Sequence, residues 1–263
     1  PRRRSPTCLR RGTSMSTTTD DASRFGGVSP VAPPVPGPFM FDQRWESVFF
    51  LHWPVDPSDV APFMPPGVRP DEFDGATYVA LVPFRMSGAG LGRGHPMPWW
   101  GTFVECNVRL YSVDEEGNHG VVFRSLEASR LVTALAARWG YRLPYTWASM
   151  SVRQRGDHWW WRSERRRPRG GGSMTLQARV GEPVEPTDLE VFLTARWGLH
   201  SYAAGRTWWT PNQHAPWPLY AAEVLHLEED LVHRAGFDAQ AESMLRPLFS
   251  PGVYTTFGLP RAL

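Results

Sequence analysis

The 263-residue sequence contains no lysine, so all 28 of its Lys-plus-Arg positions are arginine. Without an ε-amine there is no Schiff-base nucleophile, no pyridoxal-phosphate anchor, no P-loop lysine and no lysine general base. Cysteine is nearly absent too. Cys8 and Cys106 are the only two, too few for a disulfide framework or a cysteine metal pair. None of the eight histidines falls in an HxH, HExxH or His–Cys arrangement, and no metal is expected. No apolar run approaches a membrane span, and "PRRRSPTCLRRGTS" lacks the apolar segment of a secretory signal. A cytoplasmic protein without a membrane partner is the expectation. The segment "GAGLGRG" is glycine-rich, but no capped helix follows it, so it fails as a dinucleotide site and reads as a loop over a barrel mouth. No cofactor is expected.

A strong charge of either sign is missing as well. The formal net charge of +2 comes from five arginines ahead of Met15; beyond them 23 arginines face 26 carboxylates, a net of −3. A slightly acidic body argues against non-specific nucleic-acid binding, which needs a basic face. Residues 1–38 are rich in Arg, Ser and Thr and then Pro, and read as a disordered leader ahead of a single domain over 39–263. Met15 stands as an alternative initiator.

Aromatic residues are what the chain has in plenty: 13 Trp, 14 Phe and 7 Tyr, a supply suited to filling a barrel or lining a wide cavity. Strand patterns follow one another through "WESVFFLHWPV", "GATYVALVPF", "GVVFRSLEAS", "LPYTWASMSVRQ", "HWWWRSERR", "SMTLQARV", "GLHSYAA", "LYAAEVLHLE" and "GVYTTFG". Helices interrupt them briefly. Asp56 and Pro57 start one, Ser129 caps "SRLVTALAARWG", Thr187 and Glu190 form a capping box, and a short one falls in "EEDLVHRAG". Without βαβ alternation, the expected class is α+β, mainly antiparallel β, as a barrel or two curved sheets.

Residues 103–111, "FVECNVRLY", alternate with period two. Val104, Cys106, Val108 and Leu110 share an apolar face, where Cys106 is an inert buried thiol. Phe103, Glu105, Asn107, Arg109 and Tyr111 share the other. That second face looks at water, forms an internal ion pair, or lines a cavity.

Several segments in co-linear order, "FLHWPVDP", "MPPGV", "FDGATYVALVPF", "FVECNVRLY", "LPYTWASM", "FLTARW" and "HAPWPLYAAEV", resemble the bacterial domain of unknown function 2071, the YqjF-like proteins, over residues 43–258. The resemblance implies the acetoacetate decarboxylase-like fold, a β-barrel or double-sheet cone enclosing a pocket. It also implies that Glu105 occupies the place of an inward-facing Glu on a central strand of the decarboxylases. "GYRLPYTWA" is similar to the segment that carries their Schiff-base lysine, and Tyr145 stands where that lysine would be. This departure removes the decarboxylases' central chemistry.

On these grounds Glu105 and Tyr145 are the candidate catalytic groups, and Asn107, Arg109 and His52 the candidate ligand-binding groups. His52 and His214 also fit as satisfied core histidines. The expected function is binding of an anionic or carbonyl-bearing organic molecule in a barrel pocket, without Schiff-base chemistry. One alternative is a non-catalytic ligand-binding or sensor protein. A weaker one is nucleic-acid association through the Trp- and Arg-rich segment 158–172, whose competing reading is a hairpin with inward Trp and a solvated arginine turn. The sequence leaves homo-oligomers open.

Overall fold

A computed structural model of the chain describes residues 23–91, 101–130, 144–166, 171–238 and 240–263. The expected helix beyond Arg130, most of the glycine-rich loop, Cys8, Arg167 and Arg169 lie outside them. In chain order the elements are β1 (Phe39–Val55), α1 (Pro57–Val60), β2 (Val68–Pro70), β3 (Thr77–Leu91), β4 (Phe103–Asp114), β5 (His119–Ala128), β6 (Tyr145–Arg155), β7 (His158–Arg165) and β8 (Ser173–Pro183). They continue with α2 (Asp188–Thr194), β9 (Gly198–Ala203), β10 (Arg206–His214), β11 (Tyr220–Glu229), α3 (Leu231–Arg234), β12 (Leu248–Gly258) and β13 (Arg261–Ala262). Two of the three expected caps form, and the helix that Ser129 would cap lies outside the described residues. Asp56 Oδ1 accepts from the Ser58 amide at 2.7 Å, and the Thr187/Glu190 capping box closes from both ends, giving orphan helix donors partners.

The strands make one large sheet that curls into a ring, mostly antiparallel, with parallel pairings of β5 to β6 and to β9. Strands β12, β1, β3, β4 and β5 are consecutive neighbours and act as a shared wall. From β5 the sheet returns to β12 by two routes. One runs through β6, β7, β8 and β11; the other runs through β9 and β10. Each route covers one face of the wall.

The first face is a dry core. Phe49, Leu51 and Trp53 of β1, Val79 and Leu81 of β3, and Cys106, Val108 and Leu110 of β4 pack against Trp159, Trp161, Met174 and Leu176. Their alternation follows from the strand period. Burial raises the Cys106 thiol pKa well above its ordinary value. The second face carries Phe50, Tyr78, Ala80, Val82, Phe84, Phe103 and Tyr111, closed at one end by Phe192 and Trp197.

Two expectations need correction, and one strand adds to those expected. The leader does not reach residue 38. Val28 is fully buried, the Trp197 indole N–H donates to the Ser29 carbonyl at 2.8 Å, and the Val35 amide donates to Gln213 Oε1 at 3.1 Å. A Pro-rich stretch with few apolar residues still docks when an aromatic body offers a place for one valine and partners for its backbone. Strand β10 went unread because Pro211 and Asn212 look like breakers; Pro211 is tolerated opposite Gly198, where the β9–β10 ladder ends. The arginine turn is not wholly solvated. Trp159 and Trp161 face inward and Trp160 outward, as a hairpin requires, but Arg165 is mostly buried and its Nη2 meets the fully buried Glu127 carboxylate at 2.5 Å.

Candidate functional site

The second face of the wall bounds a cavity of about 420 Å³ between it, β9, β10 and the C-terminal end of α2. β4 sends Phe103, Glu105, Asn107 and Arg109 into its lining, the alternate positions of the strand. β1 contributes Phe41, Gln43 and Trp45 and then Val48 and Phe50, a change of parity that a regular strand cannot make. Ser47, at φ 53°, sits in a bulge that inserts the extra residue. Across from it Gly252 adopts φ +129°, and a Cβ there would stand 1.9 Å from the Trp45 carbonyl oxygen, so only glycine fits.

Glu105 is 3% exposed. Burial pushes its carboxyl up to about 8, and the hydrogen bond from Tyr145, donated to Oε2 at 3.0 Å, lowers it only in part. Near neutral pH it is therefore a carboxylic acid. Tyr145, at the start of β6, has its own pKa raised well above the usual value, by burial first and then by Glu105.

Arg109 does not pair with Glu105. Four residues along a strand separate their Cα atoms by roughly 13 Å, and among the described residues no carboxylate comes within ion-pair distance of Arg109. Its Nη2 reaches the Tyr111 hydroxyl and the Leu193 carbonyl, both at 3.4 Å, and its Nε is buried without a partner. The Leu193 carbonyl belongs to the last turn of α2, the negative end of that helix dipole. Asn107 Oδ1 is likewise buried and unpartnered.

Arg196 was not foreseen. It is 4% exposed, lines the cavity, and donates from Nε to the Phe192 carbonyl at 2.7 Å. Its Nη1 pairs with the Asp71 carboxylate, which also takes His119 Nδ1 at 2.7 Å. Arg109 and Arg196 both lie over the Tyr111 ring, at 5.6 and 4.8 Å from its centroid. The only hint in the sequence was an arginine just after a capped helix, which reads equally well as a solvated end.

His214 lines the cavity as well. Its Nδ1 donates to the Ala215 carbonyl at 2.7 Å, which fixes the tautomer, and burial, with Arg109 adding, brings its pKa down to about 4. It is a neutral imidazole. His52 falls on the same face as Phe50 but one step beyond the lining, under Tyr111, whose hydroxyl lies 2.7 Å from its Nε2. Burial, then Arg109 and Arg196, hold it well below its ordinary pKa. Among the described residues no cluster of His, Cys, Asp or Glu could hold a metal ion, and no helix is long and apolar enough to cross a membrane.

A large, mainly antiparallel sheet curled into a ring around a cavity is the acetoacetate decarboxylase-like architecture. An acetoacetate decarboxylase-like enzyme from Sphingomonas wittichii RW1 superposes with a TM-score of 0.58 at 12% identity, over 85% of this chain and 93% of that one. The enduracididine biosynthesis enzyme MppR complexed with pyruvate superposes with a TM-score of 0.57 at 13% identity, over 89% and 98%. These likenesses show the fold. The chain belongs to the family of domain of unknown function 2071, described as an uncharacterized conserved protein, whose model matches residues 42–254. The protein YqjF of Bacillus subtilis (strain 168), itself described as uncharacterized, is 29% identical over 190 residues, 72% of this chain and 78% of that protein.

Proposed function

We propose that the protein binds a small organic anion bearing a carbonyl group in the cavity, with Arg109 holding the charge and no covalent amine chemistry involved. What carries this reading is the unneutralised guanidinium. Arg196 has Asp71, Glu105 is a neutral acid, His214 is a neutral imidazole, and among the described residues Arg109 alone brings uncompensated charge to the lining. Arg109 is part-buried with its Nε unpartnered, and an incoming carboxylate supplies a partner in bidentate form. Asn107, with an acceptor and two donors, and Tyr145 are placed to hydrogen-bond the rest of the ligand.

Acid catalysis on the bound carbonyl is a second reading, favoured by one observation: Glu105 is held protonated. A carboxyl group with a pKa near the working pH can give a proton to a carbonyl oxygen as charge develops there. The plain binding reading needs no such step.

The test is a thermal-shift and calorimetric panel of carboxylates that includes pyruvate and acetoacetate, run on the parent, Arg109→Ala and Arg109→Lys. Binding should vanish in the first and weaken in the second, since a point charge cannot reproduce the guanidinium fork. Borohydride added with acetoacetate should leave no adduct on a cavity residue. A folded Arg109→Ala protein with parental affinity would overturn the assignment. Any hit then enters a turnover assay against Glu105→Gln, in which loss of rate with binding retained supports acid catalysis.

A further inference from the structure

The length and the walls of the cavity narrow its ligand further. Along β4 the order is Glu105, Asn107, Arg109, so the hydrogen-bonding pair Glu105–Tyr145 and the guanidinium stand at opposite ends of one edge, with Cα atoms roughly 13 Å apart. A short keto acid reaches one end and leaves the other unpartnered. It also leaves most of the space unfilled, since about 420 Å³ falls in the range that encloses a drug-sized ligand.

Between the two ends the lining is aromatic. Trp45 and Trp217 stack with planes 5° apart, Phe50 meets Trp217 edge-on at 5.2 Å, and Phe84 and Phe257 meet Trp45 edge-on at 6.2 and 5.9 Å. Such faces and edges favour a flat π-system over a flexible alkyl chain, and a rigid ring system loses little freedom on binding.

We propose that the ligand is an elongated aryl carboxylate whose carboxylate lies on Arg109, whose rings fill the aromatic waist, and whose far end carries a carbonyl accepting from the Glu105–Tyr145 pair. The proposal rests on the reading of Arg109 as the anion-holding group and goes beyond it in size, aromaticity and the second polar end. Arg196 adds positive potential at the carboxylate end while staying tied to Asp71.

The test uses five probes on the intact chain, followed by calorimetry and by quenching of tryptophan fluorescence: 6-acetyl-2-naphthoate, its methyl ester, 2-naphthoate, octanoate and pyruvate. The acetyl-naphthoate should bind best. Its ester should bind at least about tenfold more weakly through loss of the charge-assisted pair. 2-Naphthoate should be several-fold weaker through loss of the far acceptor, and octanoate and pyruvate about tenfold weaker or more. Arg109→Met should lower the affinity for the acid to that for the ester; if that variant does not fold, the acid-against-ester comparison on the parent protein decides the same point. Octanoate or pyruvate binding as tightly as the acetyl-naphthoate would overturn the proposal, and if that binding still required Arg109 the broader reading would survive. An ester equal to the acid, or no binding by any probe, would overturn both.

Discussion

Replacing Glu105 by Gln should stabilise the protein, by an amount that grows with pH. The carboxyl titrates near 4.5 when unperturbed and near 8 in the folded chain, because burial raises it. Across that window the folded state keeps a proton that the unfolded state has released, so the unfolded state binds fewer protons and stability falls as pH rises. At about 1.36 kcal/mol per pKa unit, the burden is about 3 kcal/mol at pH 7 and levels off near 5 kcal/mol above pH 8. Gln has the same shape and keeps an oxygen to accept from Tyr145, but it does not titrate. The variant should therefore match the parent near pH 4.5 and exceed it by about 3 kcal/mol at pH 7, a rise in Tm of about 6–12 °C for a domain of this size. Urea unfolding followed by tryptophan fluorescence at several values from pH 4.5 to 8.5 measures it directly. A stability difference that stays constant over that range would show that Glu105 is not held as a buried neutral acid, and the acid-catalysis reading would fall with it.

Binding of the acetyl-naphthoate should weaken as pH rises through about 8, where Glu105 ionises and repels the anion, and the dependence should be absent in Glu105→Gln. A chain beginning at 39 loses the buried Val28, worth about 1.5–3 kcal/mol, and should melt several degrees below the parent in calorimetry. Arg165→Ser leaves the fully buried Glu127 unpaired and should lose roughly 3–5 kcal/mol in urea unfolding, with much of it recovered when Glu127 is also made apolar. Gly252→Ala drives a methyl into the Trp45 backbone and should cost roughly 2–4 kcal/mol. A mild loss there would mean that the bulge shifts freely.

The sequence made the alternation of residues 103–111 legible, and with it the membership of Glu105, Asn107 and Arg109 in one face, because a strand's period is set by backbone geometry alone. Which way that face looks came from the family resemblance, since polar residues on alternate positions suit water equally well. Three features stayed hidden for physical reasons. The half-turn of β1 at Ser47 depends on a glycine some 200 residues away, at 252, and no local pattern announces it. Strand β10, which brings Asn212 and His214 to the cavity, is held by neighbours that satisfy its ladder despite Pro211. Whether Glu105 and Arg109 form an internal ion pair is not readable from their shared face; in the structure Glu105 meets Tyr145 and Arg109 meets the Leu193 carbonyl. His52 shares the correct face but lies past the end of the cavity, a matter of one step along β1.

The wall shared by the two routes of the sheet has a consequence for descent. Val104, Cys106, Val108 and Leu110 of β4 pack in the dry core, and Phe103, Glu105, Asn107 and Arg109 line the cavity. One strand thus carries two nearly independent records, interleaved letter by letter. A lineage can rewrite its ligand by changing every second residue while its folding stability is kept by the letters between. Relatives with this fold can then diverge in what they hold far faster than in how they stand, and a shared architecture at low identity is the expected outcome.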